Sequence, residues 1–143
     1  VRTVSYMQHP LVIEDLGLAA AVHQYAKEFT RRSGIKVSTH IPDSMDRLGT
    51  EVEIALYRII QECLTNVQQH SGAQKAQISI TVKKRQIMTE VQDFGKGFAP
   101  TNEGMGIIGM HERIEELGGR LEIESGRKGT KVRAIMPLAR PKT

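Results

Sequence analysis

The 143-residue chain has no tryptophan, three phenylalanines and three tyrosines. So thin an aromatic supply leaves no platform on which nucleic-acid bases could stack. There is one cysteine, Cys63, so no internal disulfide can form. That suits a reducing compartment and a core role for the thiol. No apolar run is long enough to span a bilayer, and no secretory leader opens the sequence. Nor does one charge dominate: 20 Lys and Arg against 16 Asp and Glu leave +4. A balance that slight and scattered suits an anionic ligand and argues against a nucleic-acid partner. Internal repeats and low-complexity segments are absent. The length fits one domain with a real core. The first residue is valine, as expected of a piece of a longer protein. The domain itself is expected to be cytoplasmic, and a membrane anchor elsewhere in the parent protein is compatible with that.

The chain is organised around the stretch Tyr57 to Ser71. Val52, Leu56, Ile59, Ile60, Cys63, Leu64 and Val67 recur at the three-and-four spacing of a buried helical stripe. Glu62, Asn66 and His70 follow at i, i+4 and i+8. At about 100° per residue they form a slightly spiralling row beside that stripe. An acid, an amide and an imidazole at the border of a core can line a cleft. On the helix alone, an ordinary amphipathic helix with a solvated polar edge explains them equally well.

The remaining elements follow from local pattern. His9-Pro10 breaks any helix at the start. Asp15 is a candidate N-cap for a helix to about Arg32, with Leu16, Leu18, Ala19, Val22, Tyr25, Ala26 and Phe29 on its apolar side. Ser33-Gly34 stops it. Ile35 to Ile41 alternates as a half-buried strand. The central helix is expected from Leu48 to His70, with Thr50 and Glu53 in capping-box spacing. A hairpin follows: Ala76–Val82, the charged turn Lys83-Lys84-Arg85, then Ile87–Val91. The basic triplet reads first as a solvated turn and second as a partner-binding patch. A loop from Phe98 to Met105 leads to a third helix opening at Gly106 or Ile107 and stopped by Gly118-Gly119. Strands Leu121–Glu124 and Lys131–Met136 close the chain. The order α, β, α, β, β, α, β, β predicts an α/β sandwich: a mixed, mainly antiparallel sheet of about five strands with three helices on one face.

The candidate chemistry sits where the second hairpin strand ends. Asp93 emerges there, followed by Gly95 and Gly97. Glycines so placed let a flat or phosphorylated ligand approach the main chain. Gly104, Gly106 and Gly109 form a G-x-G-x-x-G string. The dinucleotide fingerprint should directly follow a strand, and here the loop from Phe98 to Glu103 intervenes, so that reading is rejected. The glycines still open a helix whose free N–H groups suit phosphates, with plain loop flexibility as the other reading. Gly129-Thr130 alone is a common turn.

Taken together, Glu62-x-x-x-Asn66-x-x-x-His70, Asp93-x-Gly95-x-Gly97-Phe98, Gly104-x-Gly106-x-x-Gly109-Met110 and Gly129-Thr130 resemble the successive nucleotide boxes of the GHKL ATPases. Tyr57-Arg-Ile-Ile-Gln-Glu and Gly109-Met-x-Glu-Arg-Ile-x-x-Leu-Gly-Gly119 look like the nitrate-sensor and desaturase-sensor subfamily of sensor histidine kinases. Pro10 to Gly17 is similar to the end of the dimerisation region in those kinases. The resemblance therefore divides the chain into 1–14, the end of that region, and 15–143, the ATP-binding catalytic domain.

The resemblance implies the Bergerat fold, with ATP between a helix layer and a lid. Asn66 would hold Mg²⁺, and Glu62 would polarise the attacking nucleophile. His70 would reach the phosphates. Asp93 would accept the adenine amino group, passed closely by Gly95 and Gly97. Gly104, Gly106 and Gly109, with Met110 beside them, would shape the lid and cradle phosphates. Thr130 would help Asp93 fix the base or a bridging water. The implied partners are ATP, the protein's own dimerisation and phosphoacceptor helices in a homodimer, and a response regulator. Two residues depart from the pattern: Phe94 replaces a small polar residue, and His111 stands where arginine is common. Neither His9 nor His23 has the acceptor context, so the phosphorylated histidine is expected upstream of Val1. The alternatives are a GHKL anti-sigma-type protein-serine kinase and a non-catalytic nucleotide-gated module. Glu62 and Asn66 together argue against the second.

Overall fold

The computed structural model describes residues 11–42, 45–95 and 105–138. Helix α1 spans Leu11–Leu16 and α2 spans Leu18–Ser33. Strand β1 is Lys36–His40. Helix α3, Thr50–Asn66, runs into a π-helical turn, Val67–Ser71. Strands β2, Lys75–Lys83, and β3, Gln86–Asp93, form the hairpin. Helix α4, Met105–Glu116, leads to β4, Arg120–Gly126, and β5, Gly129–Pro137.

The five strands form one sheet in the order β1-β2-β3-β5-β4. Only β1 and β2 run parallel; the other pairs are antiparallel. The alternation in sequence becomes a two-faced sheet. Ala76, Ile78 and Ile80 pair in register with Asp93, Val91 and Thr89, and Val91, Thr89 and Ile87 with Val132, Ala134 and Met136. All of these are buried, on the face that α3 covers across β3 and β5. Leu56, Ile60 and Leu64 of α3 have no exposure at all. Tyr25 of α2 meets Tyr57 of α3 edge-on, with centroids 5.9 Å apart. The opposite sheet face is polar, and Arg133 there bridges Glu90 and Glu122 at 3.0 and 3.2 Å. The expected α/β sandwich with a mixed, mainly antiparallel sheet is the observed fold.

Three local expectations are corrected. Asp15 does not cap the first long helix. Gly17 does, at φ 88°, a conformation that breaks the helix into α1 and α2. The break turns Leu16 outward, 64% exposed, instead of onto the apolar side.

Thr50 is not the cap of α3 either; the cap is Gly49. Glu53, expected to complete a capping box with Thr50, is completely buried and paired elsewhere. Its carboxylate accepts the Nε of Arg47 at 3.1 Å, the Nη2 of Arg47 at 3.1 Å and the backbone N–H of Leu48 at 3.2 Å. Arg47 also donates to the carbonyl oxygen of Ile13 at 2.9 Å, lying over Gly17 as it does so. The buried charge is thus paired and hydrogen-bonded, as a carboxylate out of water must be.

Finally, the central helix does not stay α-helical to His70. From Val67 it widens into the π turn, ended by Gly72 at φ 67°. His70 therefore does not continue the 100° progression from Glu62 and Asn66.

Candidate functional site

Three chain segments converge at one end of the sheet: the last turn of α3, the end of β3 and the start of β5. Cys63, Asn66, Val67, Val91, Asp93 and Thr130 line a crevice of about 10 Å³ there. That is close to the minimum volume that holds one water.

Asp93 is the chemical centre. It is the last residue of β3 and only 1% exposed. Its Oδ1 accepts the backbone N–H of Gly95 at 3.0 Å, while Oδ2 is buried with no partner among the described residues. A buried carboxylate oxygen without a hydrogen bond is costly, so such atoms in native proteins call for an explanation. A donor brought by a ligand, such as the exocyclic amino group of adenine, would satisfy it. Guanine, with a carbonyl in that position, would set acceptor against acceptor.

Gly129 explains how β5 comes so near. At φ 120°, a Cβ on it would overlap the Asp93 carbonyl group and stand 2.9 Å from Oδ1. Glycine is required for that approach, more than the sequence pattern of a common turn suggests. Next to it Thr130 is buried, with its hydroxyl 3.0 Å from that of Ser125. Thr130 and Asp93 share the crevice, a position from which they could hold a base or a bridging water.

Glu62 and Asn66 are both half-buried, one turn apart on α3, with Asn66 against the crevice. Asn66 offers a single hard oxygen. Among the described residues no cluster of three acidic, histidine or cysteine side chains could hold a metal. Asn66 fits Mg²⁺ as the metal usually accompanies nucleotides, with phosphates and water supplying the other ligands.

His70 lies in the π turn. Gly97 and Gly104 lie outside the described residues. Gly106 and Gly109 are in α4, where Gly109 is exposed and Met110 is buried in the core. Phe94, next to Asp93 in the chain, is 51% exposed.

Residues 51–140 match the family described as histidine kinase-, DNA gyrase B-, and HSP90-like ATPases. The chain belongs to this family. Its ATPase-type fold thus comes with an ATP-binding site, and the expected histidine-kinase type of domain is borne out by its relatives. The oxygen sensor histidine kinase NreB of Staphylococcus carnosus is 35% identical over 96% of the chain and 41% of that protein. The sensor histidine kinase MctS of Rhizobium johnstonii is 34% identical over 96% of the chain and 31% of that protein. The chain therefore spans well under half the length of these curated relatives. The solved histidine kinase domain of a blue-light activated histidine kinase from Erythrobacter litoralis superposes with a TM-score of 0.73. It is 27% identical, over 85% of this chain and 61% of that one. The structure of histidine kinase AdeS from Acinetobacter baumannii, 17% identical at a TM-score of 0.66, shares the fold; it covers 97% of this chain and 78% of that one. Among the described residues no helix is long and apolar enough to cross a membrane.

Proposed function

We propose that the parent protein is a sensor histidine kinase, in which this domain passes the γ-phosphoryl of Mg·ATP to a histidine outside the chain and thence to a response regulator. The observation that carries the nucleotide half is the orphaned Oδ2 of buried Asp93, a ready acceptor for adenine. The kinase half rests on relatives named as sensor histidine kinases that align with 96% of the chain.

In this reading Asp93 selects the base, with Thr130 supporting it and Gly95 and Gly97 letting the ring lie close. Bound Mg²⁺ would neutralise phosphate charge, and Asn66 is the residue that would hold it. His70 would reach the phosphates, Gly104, Gly106 and Gly109 would shape the lid and cradle them, and Met110 is the residue of α4 buried in the core. Glu62 accepts a hydrogen bond from the attacking imidazole, making its other nitrogen more nucleophilic. The new N–P bond forms as the bond from the γ-phosphorus to the β,γ-bridging oxygen breaks, and ADP leaves. Positioning and charge neutralisation supply most of the acceleration. Residues 1–14 end the dimerisation region of a homodimer, and 15–143 form the catalytic domain. Helix α1 crosses that boundary and joins the two.

The test is phosphotransfer from radiolabelled ATP. The chain alone should bind Mg·ATP without stable self-labelling. Joined to the upstream segment of its own gene, it should label on a histidine of that segment. Acid-labile phosphate on His9 or His23 of the isolated chain would overturn the placement of the acceptor. A chain that binds no ATP would overturn the reading altogether.

A further inference from the structure

The opposite end of the same sheet carries a second built feature. Strands β2 and β3 are joined by a two-residue turn, Lys84-Arg85, with both residues at positive φ, 42° and 65°. Such turns favour Asn-Gly, because a side chain in the left-handed region costs roughly 1–2 kcal/mol per residue. Strain of this kind, placed on two adjacent cations, points toward a use for them. The turn is fixed by the N–H of Leu138, which donates to the Arg85 carbonyl at 2.7 Å.

Facing it is the Gly118-Gly119 bend after α4. Gly118 has φ 87°, and a Cβ on Gly119 would overlap the Ile135 carbonyl and stand 3.2 Å from Ile114 Cγ2. This wall is bare backbone. Arg120 follows it as a third cation, giving its Nε to Glu122 at 3.1 Å. Lys84 and Arg85 have no acidic partner among the described residues. Ile135 and Pro137 complete the lining of a crevice of about 350 Å³. Along β3, Gln86 lines this crevice and Asp93 the other, seven residues or about 23 Å away.

We propose that this crevice is a second ligand site, for a small polyanion carrying neighbouring phosphate or carboxylate groups. Its volume lies in the range of small-molecule sites. Guanidinium forks match phosphate and carboxylate oxygens, and the lysine adds a compact charge. The wall amides are already used, Gly118 on the Glu115 carbonyl and Gly119 on that of Ile114, so recognition falls to the side chains. The apolar pair holds whatever carries the anionic groups. None of this depends on the nucleotide assignment at the other end of the sheet.

The experiment follows backbone amide NMR shifts of the chain, saturated with ADP, during titration with pyrophosphate and separately with citrate. Saturable shifts are expected at Lys84, Arg85, Gly118, Gly119 and Arg120, with a Kd on the order of 1 mM or tighter at low salt. Binding of both probes supports a general polyanion site, and pyrophosphate alone supports a phosphate site. The K84N/R85G double variant gives the turn its preferred residues, so it should fold at least as well. It should lose about tenfold or more in polyanion affinity. Shifts confined to Asp93 and Thr130, no saturation with either probe, or full affinity in the double variant would each overturn the proposal.

Discussion

Replacing Asp93 by asparagine changes one oxygen and almost no volume. The remaining carbonyl oxygen can keep the Gly95 N–H, which now sits 3.0 Å from Oδ1. The new amide nitrogen then takes the place of Oδ2, the buried atom with no partner among the described residues. Where the carboxylate would accept the adenine amino group, the variant presents a donor to a donor. The lost interaction is a hydrogen bond to a charged acceptor, worth about 1.5–3 kcal/mol. At 1.4 kcal/mol per decade, Mg·ATP should bind roughly 10- to 150-fold more weakly. Guanine should gain, because its carbonyl would now meet a donor, so the preference for ATP over GTP should shrink or reverse. Without nucleotide the variant should melt at or above the wild-type temperature, since it removes a charge from a buried position. Calorimetric titration of both proteins with both nucleotides, alongside melting curves, measures each quantity. Wild type binding GTP as tightly as ATP, or a folded Asp93→Asn variant within about twofold of wild-type ATP affinity, would refute the reasoning.

Glu62→Gln should leave Mg·ATP affinity nearly intact and slow phosphotransfer by about 10²–10⁴-fold, whereas Asn66→Ala should weaken Mg·ATP binding as well. Assays of binding and transfer in parallel separate the two, and unchanged transfer in Glu62→Gln would remove it from the mechanism. Arg47→Ala strands the fully buried Glu53 carboxylate. Breaking a buried pair costs about 3–5 kcal/mol, and since the Arg47 side chain is itself 49% exposed, about 2–3 kcal/mol is expected in urea unfolding. An unchanged midpoint would show that water replaces the guanidinium at no cost. Burial pushes the Cys63 thiol well above its ordinary pKa, and the nearby Glu62 charge adds to that. Alkylation should therefore track global unfolding rather than the native state. Because the folded thiol holds its proton more tightly than the unfolded one, the associated stability is full below the ordinary thiol pKa and declines as pH rises above it. Rapid labelling of the native protein at pH 8 would contradict this.

Much of this fold is visible along the chain because its cause is local. The two-residue alternation of Ala76–Val82 and Ile87–Val91 and the spaced apolar residues from Leu56 to Val67 report which side of each element meets the core. Turn glycines reveal where elements stop, as Gly34 and Gly72 do at positive φ. The succession of boxes pointed to the family and singled out Asp93, Glu62 and Asn66 as candidate site residues. What the sequence could not reveal depends on groups far apart in the chain. The edge position of β4, outside β5, and the parallel pairing of β1 with β2 come from burying strand faces against shared helices. Glu53 reads as a capping-box residue until packing sets Arg47 against it, with Arg47 itself held by the Ile13 carbonyl from 34 positions earlier. The orphaned oxygen of Asp93 and the need for glycine at 129 appear only when β5 lies against the end of β3. Lys84 and Arg85 read as a solvated turn, and become two walls of a crevice once Gly118 and Gly119 are folded opposite them. Periodicity encodes what each residue prefers to bury; only the closed chain determines which distant partner it is buried against, and with that which polar atoms remain for a ligand.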